Sequence, residues 1–420
     1  MPSKSHTTSF VHYEIPPEVS DYIIDHVWDS KPTLASCSLV CRVWANRSRH
    51  HLFRVVDVAI KRCSKLDKFI AFLRSSPHLA SSIRHLTLHG TIADDQLGYT
   101  TWFYVTAETL LCCVDQLAHI VELSLRGVRL TGSIGKGGGL SVARNVHQGV
   151  MRPVQRLLLS YIFADPDVLF QTMQYFPKLH HLFTEAVYWT IETGQSNEVY
   201  STSATPLSLE TITVGGGSSH NVTSHLFPRL ERNFDATALR YLALHFDRLD
   251  SSPETSHFMA CAGPRLEGLH ITIGRRARVT TCIAAERLVD TLRLDQCTAL
   301  VEFGFNLEAT FARSKDPSLA WSLLGSIAVK LPKSICRLVV THRLDFETLR
   351  VGLQDWNWSS MDAVLSDKRL TKLTIRSPTN SPDKGNELKH RTHPMKLSEV
   401  FFRTSLPRLS NAHVLTFETY

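Results

Sequence analysis

Four residues near the start of the chain have the side chains and spacing of a zinc site. Cys37 and Cys41 lie four residues apart, and His50 and His51 follow at a separation that zinc ligands tolerate. The same stretch has an apolar helical periodicity that places both cysteines on a helix face and accounts for them without a metal. We therefore predict no metal site in this chain.

A glycine-rich segment and several single cysteines are the other candidates for chemistry. Residues 132–139, Gly-Ser-Ile-Gly-Lys-Gly-Gly-Gly, could cradle a phosphate, but the spacing is too short and no Ser or Thr follows the lysine. Cys112, Cys261 and Cys297 lack a local signature of an activated thiol nucleophile. The sequence thus predicts no catalytic residue, no cofactor and no enzymatic activity.

Length and composition are typical of a globular protein with a large core. The chain has 420 residues, of which 43% are hydrophobic and 20% charged. Because it has no run of about 18 apolar residues and its N-terminus is polar, we predict neither a membrane span nor a secretory signal. We expect a cytoplasmic or nuclear location, where the nine cysteines would be reduced.

The net charge of +7 makes nucleic-acid binding an alternative to consider. The 46 lysines and arginines are spread along the sequence, with only short clusters at 275–278 and 389–391. No basic motif with interleaved aromatic residues accompanies them. We therefore regard nucleic acid as an unlikely partner.

Residues 15–54 carry the most distinctive local pattern. After the opening Ile-Pro-Pro-Glu (15–18), apolar residues recur at steps of three and four as far as Val27, which predicts a short helix with prolines at its entry. A second helix, with two apolar faces, is predicted from a Thr33 cap through Trp44. About 40 residues are too few to bury both faces, so we expect this segment to pack on a partner or on the rest of the chain.

This segment resembles an F-box, in particular those of filamentous fungi. The resemblance rests on the Ile-Pro-Pro-Glu entry, the Ile-Ile pair at 23–24, the run Leu-Ala-Ser-Cys-Ser-Leu-Val-Cys-Arg-Val-Trp at 34–44 and the closing Leu-Phe. The alternative is the first helical hairpin of a larger domain. The resemblance implies that a Skp-type adaptor, and through it a cullin complex, binds these residues: Ile15, Pro16, Pro17, Glu18, Ile23, Ile24, Leu34, Cys37, Val40, Cys41 and Trp44.

Beyond the F-box-like segment, a short apolar pattern repeats along the sequence. Each copy reads apolar-x-x-apolar-x-apolar, which is typical of a strand, and the mean step between copies is about 33 residues. Nine copies are regular and two, around residues 182 and 415, are weaker. The central apolar residues are Leu86, Leu123, Leu157, Leu182, Ile212, Leu242, Leu269, Phe303, Leu338, Leu373 and Leu415.

Helical patterns alternate with these copies. They occupy residues 66–73, 107–117, 168–176, 286–294, 319–329 and 346–353. We predict an α/β fold, with a small N-terminal helical F-box followed by an irregular leucine-rich-repeat-like α/β solenoid, in which helices line a parallel sheet. A doubly wound sheet is the alternative. The expected domains are a disordered N-terminus (1–13), the F-box (14–54) and the solenoid (55–420).

The repeats depart from the regular leucine-rich pattern. Such repeats usually place Asn or Cys five residues beyond the central leucine, but these positions hold residues such as Val128 and Ile162. Loop-type sequences at 193–206 and 215–221 leave open whether the sheet is continuous between 185 and 235. A further long loop is predicted at 377–394. We therefore expect an irregular solenoid.

Strand alternation separates core positions from surface positions. The apolar residues of each copy point into the core, so their neighbours face outward on a concave sheet surface. The positive charge of the last copies would suit an acidic or phosphorylated partner. The predicted partner-binding residues are His85, Glu122, Arg126, Tyr241, His245, His270, Glu302, Arg337, Lys372 and Arg376.

The features together predict a substrate-recruiting adaptor subunit of a cullin-type (SCF) ubiquitin ligase. By the F-box resemblance, the N-terminal helices would dock to a Skp-type adaptor while the repeats bind an unknown protein target. The first alternative is a repeat-based interaction scaffold that does not engage a ubiquitin ligase. The second, less favoured, is a nucleic-acid binder.

Overall fold

The structure is a computed structural model. It describes residues 15–60, 63–90, 102–132, 152–189, 206–216, 219–246, 253–274, 282–307, 318–342, 357–377 and 394–419. Several predicted features lie wholly or mostly outside these residues, namely the disordered N-terminus, the glycine-rich segment 132–139, the loops 193–206 and 377–394, the helix 346–353 and both short basic clusters.

Three helices begin the described chain. They are α1 (Pro17–His26), α2 (Lys31–Cys37) and α3 (Arg42–Arg54). Prolines occupy the first turns of α1 and α2, where their missing N–H costs no hydrogen bond. The prediction of one second helix from Thr33 to Trp44 is wrong. The Ser38 hydroxyl donates to a carbonyl three residues earlier at 2.7 Å and Cys41 is extended, so the helix ends and a new one begins.

A small core and one ionic network hold these three helices together. Ile24 on α1 and Leu34 on α2 have no exposed surface. Asp25 on α1 accepts hydrogen bonds from two side chains of α3, Arg47 Nε at 2.6 Å and His51 Nε2 at 2.7 Å. The hydrogen bond from Arg47 holds the pKa of the Asp25 carboxyl well below its usual range. We call this three-helix unit, residues 15–54, the N-terminal module.

The rest of the described chain is built on one parallel sheet. Its strands are β1 (Val55–Ile60), β2 (His85–Gly90), β3 (Phe103–Thr106), β4 (Glu122–Arg126), β5 (Val128–Thr131), β6 (Arg156–Ala164), β7 (His181–Trp189), β8 (Thr211–Val214), β9 (Tyr241–Phe246), β10 (Gly268–Ile273), β11 (Glu302–Leu307), β12 (Arg337–His342), β13 (Lys372–Ser377) and β14 (Leu415–Thr419). Among the described residues, all pairings between these strands are parallel.

The predicted central residues form one continuous row across the sheet. Leu86 pairs with Leu123, and the same register continues strand by strand as far as Leu415. All eleven are buried. Because a slip of one residue would turn the apolar side chains to the other face, the shared register confirms the strand pattern inferred from the repeats. In the last repeat copy, the prediction of a core residue is wrong only at the first apolar position, because Ala412 is exposed.

Helices connect the strands and pack in an outer row. They are α4 (Cys63–Ser75), α5 (Pro77–Ala80), α6 (Ala107–Val114), α7 (Pro166–Gln174), α8 (Ser219–Asn233), α9 (Pro253–Ala262), α10 (Cys282–Leu292), α11 (Ser318–Lys330), α12 (Trp358–Ser366), α13 (Pro394–Ser405) and α14 (Pro407–Asn411). Among the described helices, each one from α4 to α13, apart from the short α5, contacts the next described helix of this row. Within the described residues, none is long and apolar enough to cross a membrane.

The order of the strands decides between the two predicted architectures. The main path runs β1-β2-β4-β6 and then consecutively from β7 to β14, so the sheet grows in one direction along the chain. A doubly wound sheet would reverse its direction at a switch point, and the described strands show no reversal. The structure is therefore an α/β fold of solenoid-like construction.

Three strands were not expected from the repeat pattern. β1 begins directly after α3 and extends the sheet by one strand, while β3 and β5 form a branch beside the second half of β6. Gly127, Tyr161 and Ala186 stand at the branch point with positive φ angles of 63°, 54° and 50°. Beyond this bend, Val128 and Ile162 are buried in strands. These positions lack the Asn or Cys of regular repeats because the chain continues as sheet instead of turning away.

The sheet is continuous through the middle of the chain. β8 pairs with both β7 and β9, which answers the question left open for 185–235. The loop predicted at 215–221 is partly wrong, because α8 already begins at Ser219.

Burial of His342 predicts a pH-dependent stability. This side chain lies at the end of β12, and burial lowers its pKa to about 4, whereas histidine in an unfolded chain titrates near about 6.5. Between these values the unfolded state binds a proton that the folded state does not, so stability is complete above about pH 6.5 and decreases toward pH 4. We expect the free energy of unfolding to fall by about 2 kcal/mol between about pH 7.5 and pH 5 through this group.

Urea unfolding at the two pH values measures this effect. His342→Gln should reduce the difference in the free energy of unfolding between the two pH values. His119→Gln, at an exposed histidine, should leave the difference as in the wild type. An unchanged difference in His342→Gln would assign the pH dependence to other groups.

Candidate functional site

The first candidate site is an apolar face of α1 that points to solvent. Val19, Tyr22 and Ile23 are spaced three and four residues apart and therefore share one side of the helix. All three are exposed, Tyr22 by 66%, and Ile15 just before the helix is exposed as well. Ile24 lies on the opposite side, in the core of the N-terminal module. The apolar stripe predicted for α1 is thus divided between a core face and a solvent face.

A second group of exposed apolar residues surrounds the break between α2 and α3. Leu39 is 86% and Val40 64% exposed, and Val43 at the start of α3 is also exposed. Single exposed apolar residues are ordinary on protein surfaces, but such a concentration on about 40 residues is typical of an interaction surface. We call the two groups together, Ile15, Val19, Tyr22, Ile23, Leu39, Val40 and Val43, the module surface.

The residues predicted to contact an adaptor differ in their accessibility. Seven are exposed, namely Ile15, Pro16, Pro17, Glu18, Ile23, Val40 and Cys41. Cys37 and Trp44 are half-buried. Ile24 and Leu34 are fully buried, so in this structure they support the helices from inside and offer no contact surface. The prediction omitted Val19, Tyr22, Leu39 and Val43, which extend the module surface.

The second candidate site is the open sheet face, the side of the sheet opposite the outer helices. Along β2, β4 and β9 buried and accessible residues alternate, as the strand pattern requires. None of the ten residues predicted to bind a partner is buried. They are His85, Glu122, Arg126, Tyr241, His245, His270, Glu302, Arg337, Lys372 and Arg376.

Ion pairs organise the charges of the open sheet face. Glu302 lies 2.9 Å from both His270 Nε2 and Arg337 Nη2, on the strands to either side. Glu418 lies 2.8 Å from Arg376 Nε and 3.4 Å from Lys372 Nζ. The hydrogen bond from Arg376 lowers the pKa of Glu418. The predicted positive charge is therefore largely compensated, since the three cations share two carboxylates.

Two rings on this face lie against glycines of the next strand. A Cβ atom added to Gly268 would stand 2.5 Å from the Tyr241 ring, and one added to Gly304 would collide with the ring of His270. The missing side chains let each ring lie close to the sheet, as when aromatic residues cover strand glycines. Tyr241 remains 43% exposed. The middle of the open sheet face thus presents a flat aromatic surface beside ion pairs.

The cysteines considered for chemistry occupy separate environments. Cys37, Cys41, His50 and His51 do not form a group of metal-ligand atoms, and His51 bonds Asp25 instead. Burial raises the pKa of the Cys297 thiol to about 12, which makes a thiolate nucleophile unfavourable there.

A different set of residues does bring metal-ligand atoms together within the described part of the chain. Glu231 on α8 and His257 and Cys261 on α9 have ligand atoms within 4.8 Å of one another. We call this set the helix-pair cluster.

Comparison with known proteins assigns no family to this chain. No protein-family model matches the sequence, and no curated protein matches it. Its function is therefore inferred from the module surface and the open sheet face.

Proposed function

We propose that this chain is an F-box protein, the subunit that recruits targets to a cullin-type ubiquitin ligase. The observation that carries the proposal is the module surface, in which exposed apolar side chains are concentrated on a three-helix unit at the start of the chain. This unit coincides with the segment whose sequence resembles an F-box. The partner implied by that resemblance is a Skp-type adaptor, which links the protein to a cullin.

The energetics of the N-terminal module support a docking role. Covering apolar surface releases about 25 cal/mol per Å² removed from water, so several exposed large side chains supply substantial binding energy. The module core does not depend on these residues, because Ile24 and Leu34 are buried beneath them. A partner can therefore cover the module surface without unfolding the module.

The connection between the module and the sheet supports a fixed arrangement of the two surfaces. β1 follows α3 with no intervening residue, and α3 contacts both β1 and α5. The amide of Arg84, just before β2, donates to the carbonyl of Arg54, the last residue of α3, at 2.9 Å. A target on the open sheet face would thus be held at a defined position relative to the docked adaptor.

In this proposal the sheet is an irregular leucine-rich-repeat-like receptor for a protein target. Stacked strand and helix units present an extended surface whose residues vary from strand to strand, which suits recognition of another protein. The chain would supply no catalytic group. It would hold an acceptor lysine near a ubiquitin-charged enzyme, where proximity raises the effective concentration of the reactants. The proposed location is the cytoplasm, the nucleus or both.

Co-purification from the native cell tests the proposal. The tagged full-length chain should bring down a Skp-type adaptor and a cullin together with a target. Partners without either ligase component would favour an interaction scaffold and contradict the ligase role. Partners that are released by nuclease treatment would favour the nucleic-acid alternative.

Reversing the charges of Arg337, Lys372 and Arg376 to Glu should weaken binding of the native target at least about tenfold. The three new carboxylates would join Glu302 and Glu418 and repel an acidic partner. The loss should shrink as salt increases, since exposed charges are screened over about 8 Å at physiological ionic strength. Titration of the purified target at several salt concentrations measures this effect.

The control carries the same charge change on the outer helix α4, where Lys65, Lys68 and Arg74 are exposed. Changing these three to Glu should leave target binding as in the wild type, and adaptor binding should be unaffected in both variants. Equal weakening by the two triple variants would show that net charge, and not the open sheet face, controls target binding.

A further inference from the structure

The helix-pair cluster lies on the outer helices, away from both proposed protein-binding surfaces. Glu231 comes from α8, and His257 and Cys261 come from the next helix, α9. The carboxylate, imidazole and thiol differ in chemistry, yet all three are ligands that zinc accepts. Their ligand atoms lie within 4.8 Å of one another.

The two helices are held rigidly beneath the cluster. Phe227 on α8 and Phe258 on α9 stack with ring centroids 4.3 Å apart and an angle of 7° between the rings. Leu230 and Ala262 are both fully buried. Each residue of the helix-pair cluster is the chain neighbour of one of these buried residues. The backbone positions of all three ligands are therefore fixed before any ion binds.

Glu231 has a buried carboxylate oxygen that a bound cation would stabilise. Its Oε1 is buried and has no hydrogen-bond partner, while Oε2 lies 3.5 Å from His257 Nε2. A buried polar atom without a partner is costly, and a bound cation would supply the missing interaction.

The two proposed ligands from α9 lie on the same side of the helix and can bind one ion together. His257 and Cys261 are one helical turn apart, so their side chains lie on the same side of the helix. Both are exposed, and Cys261 is a free cysteine. Ligand atoms around a tetrahedral zinc ion stand about 3.3–3.7 Å apart, given zinc–ligand distances of about 2.0–2.3 Å. Side-chain rotations that move the ligand atoms by about 1 Å would bring the cluster to this geometry.

We propose that Glu231, His257 and Cys261 bind one Zn²⁺ ion, with the fourth coordination position open to solvent. Hard cations such as Mg²⁺ and Ca²⁺ prefer oxygen ligands alone, so a set with nitrogen and sulfur excludes them. The ion would link α8 to α9. The prediction of a metal-free chain is revised accordingly.

Titration of the full-length protein with zinc chloride tests this site. The wild type should bind one equivalent. Each of Glu231→Gln, His257→Ala and Cys261→Ser should weaken binding at least about tenfold, since even changes outside the ligand shell of metal sites have effects of about this size. His119→Ala and Cys41→Ser, which change an exposed histidine and an exposed cysteine elsewhere, should bind as the wild type does.

Cobalt substitution provides a readout that does not depend on affinity alone. Bound Co²⁺ should show a thiolate-to-metal charge-transfer band, and Cys261→Ser should lose this band. Unfolding midpoints without metal identify any variant that has lost its fold. The proposal is overturned if wild-type protein binds no zinc, or if the three ligand variants bind it as tightly as the two controls.

Discussion

Ile23→Asp combined with Val40→Asp is expected to lower the affinity for a Skp-type adaptor at least about 100-fold, equivalent to about 2.7 kcal/mol. Both side chains belong to the module surface and are exposed in the free protein. Burying two carboxylates in an apolar interface adds a desolvation cost to the lost apolar contacts. The free energy of unfolding should change by less than about 1 kcal/mol, since neither residue contributes to the core.

The matched control places the same substitutions on outer helices. Val329 on α11 and Val400 on α13 are exposed to a similar degree, and changing both to Asp should leave adaptor binding unaltered. Affinities for the purified adaptor, measured by titration calorimetry, compare the two double variants. Full-strength binding by the Ile23→Asp/Val40→Asp variant would disprove docking through the module surface.

Phe303→Ala is expected to cost about 4 kcal/mol of stability, the loss typical of a fully buried phenylalanine. Phe303 is 0% exposed and stands in the central row of the sheet between Leu269 and Leu338. Its removal would leave a cavity between the sheet and the outer helices that neighbouring units cannot fill without shifting. Urea unfolding of wild type and variant measures the difference.

Phe72→Ala, on the outer helix α4, is the matched control for Phe303→Ala. Phe72 is 42% exposed, so its removal should cost about 1 kcal/mol. Similar losses for the two variants would contradict the assignment of the central row to the core.

The sheet was predictable because the same physical requirement acts in every repeat. Each strand must bury one face against helices, so alternating apolar residues recur, and the central residues from Leu86 to Leu415 share one register. The pattern fails where this requirement changes. β3 and β5 lie in a branch beyond the bend at Gly127, which no repeat signal marks. β1 follows helix α3 directly. It therefore lacks the connecting segment by which the other strands are recognised in the sequence.

The helices were harder to predict than the strands. α8 contains Pro228 in its interior and begins within a glycine-rich stretch, both of which argue against a helix. In the N-terminal module, the continuous apolar periodicity through Trp44 hid the break at Ser38 and Cys41. The local hydrogen bond of the Ser38 hydroxyl, which competes with the helix, cannot be read from periodicity.

The candidate sites depend on contacts that sequence spacing does not contain. Glu418 belongs to one of the two weaker repeats, and the repeat pattern does not predict its pairing with Lys372 and Arg376. The sequence therefore predicts more uncompensated positive charge on the sheet than the structure has. In the helix-pair cluster, the four-residue spacing of His257 and Cys261 was visible. Glu231 lies on another helix, and only the packing of α8 on α9 brings it to them.

The division of labour between the N-terminal module and the sheet is tested most directly by hydrogen exchange. Deuterium uptake of the full-length chain is measured peptide by peptide, with and without a saturating Skp-type adaptor. We predict protection within residues 15–54 and unchanged uptake in the strands of the open sheet face, β9 to β13. Absence of a complex, or protection confined to those strands, would contradict the proposed docking role.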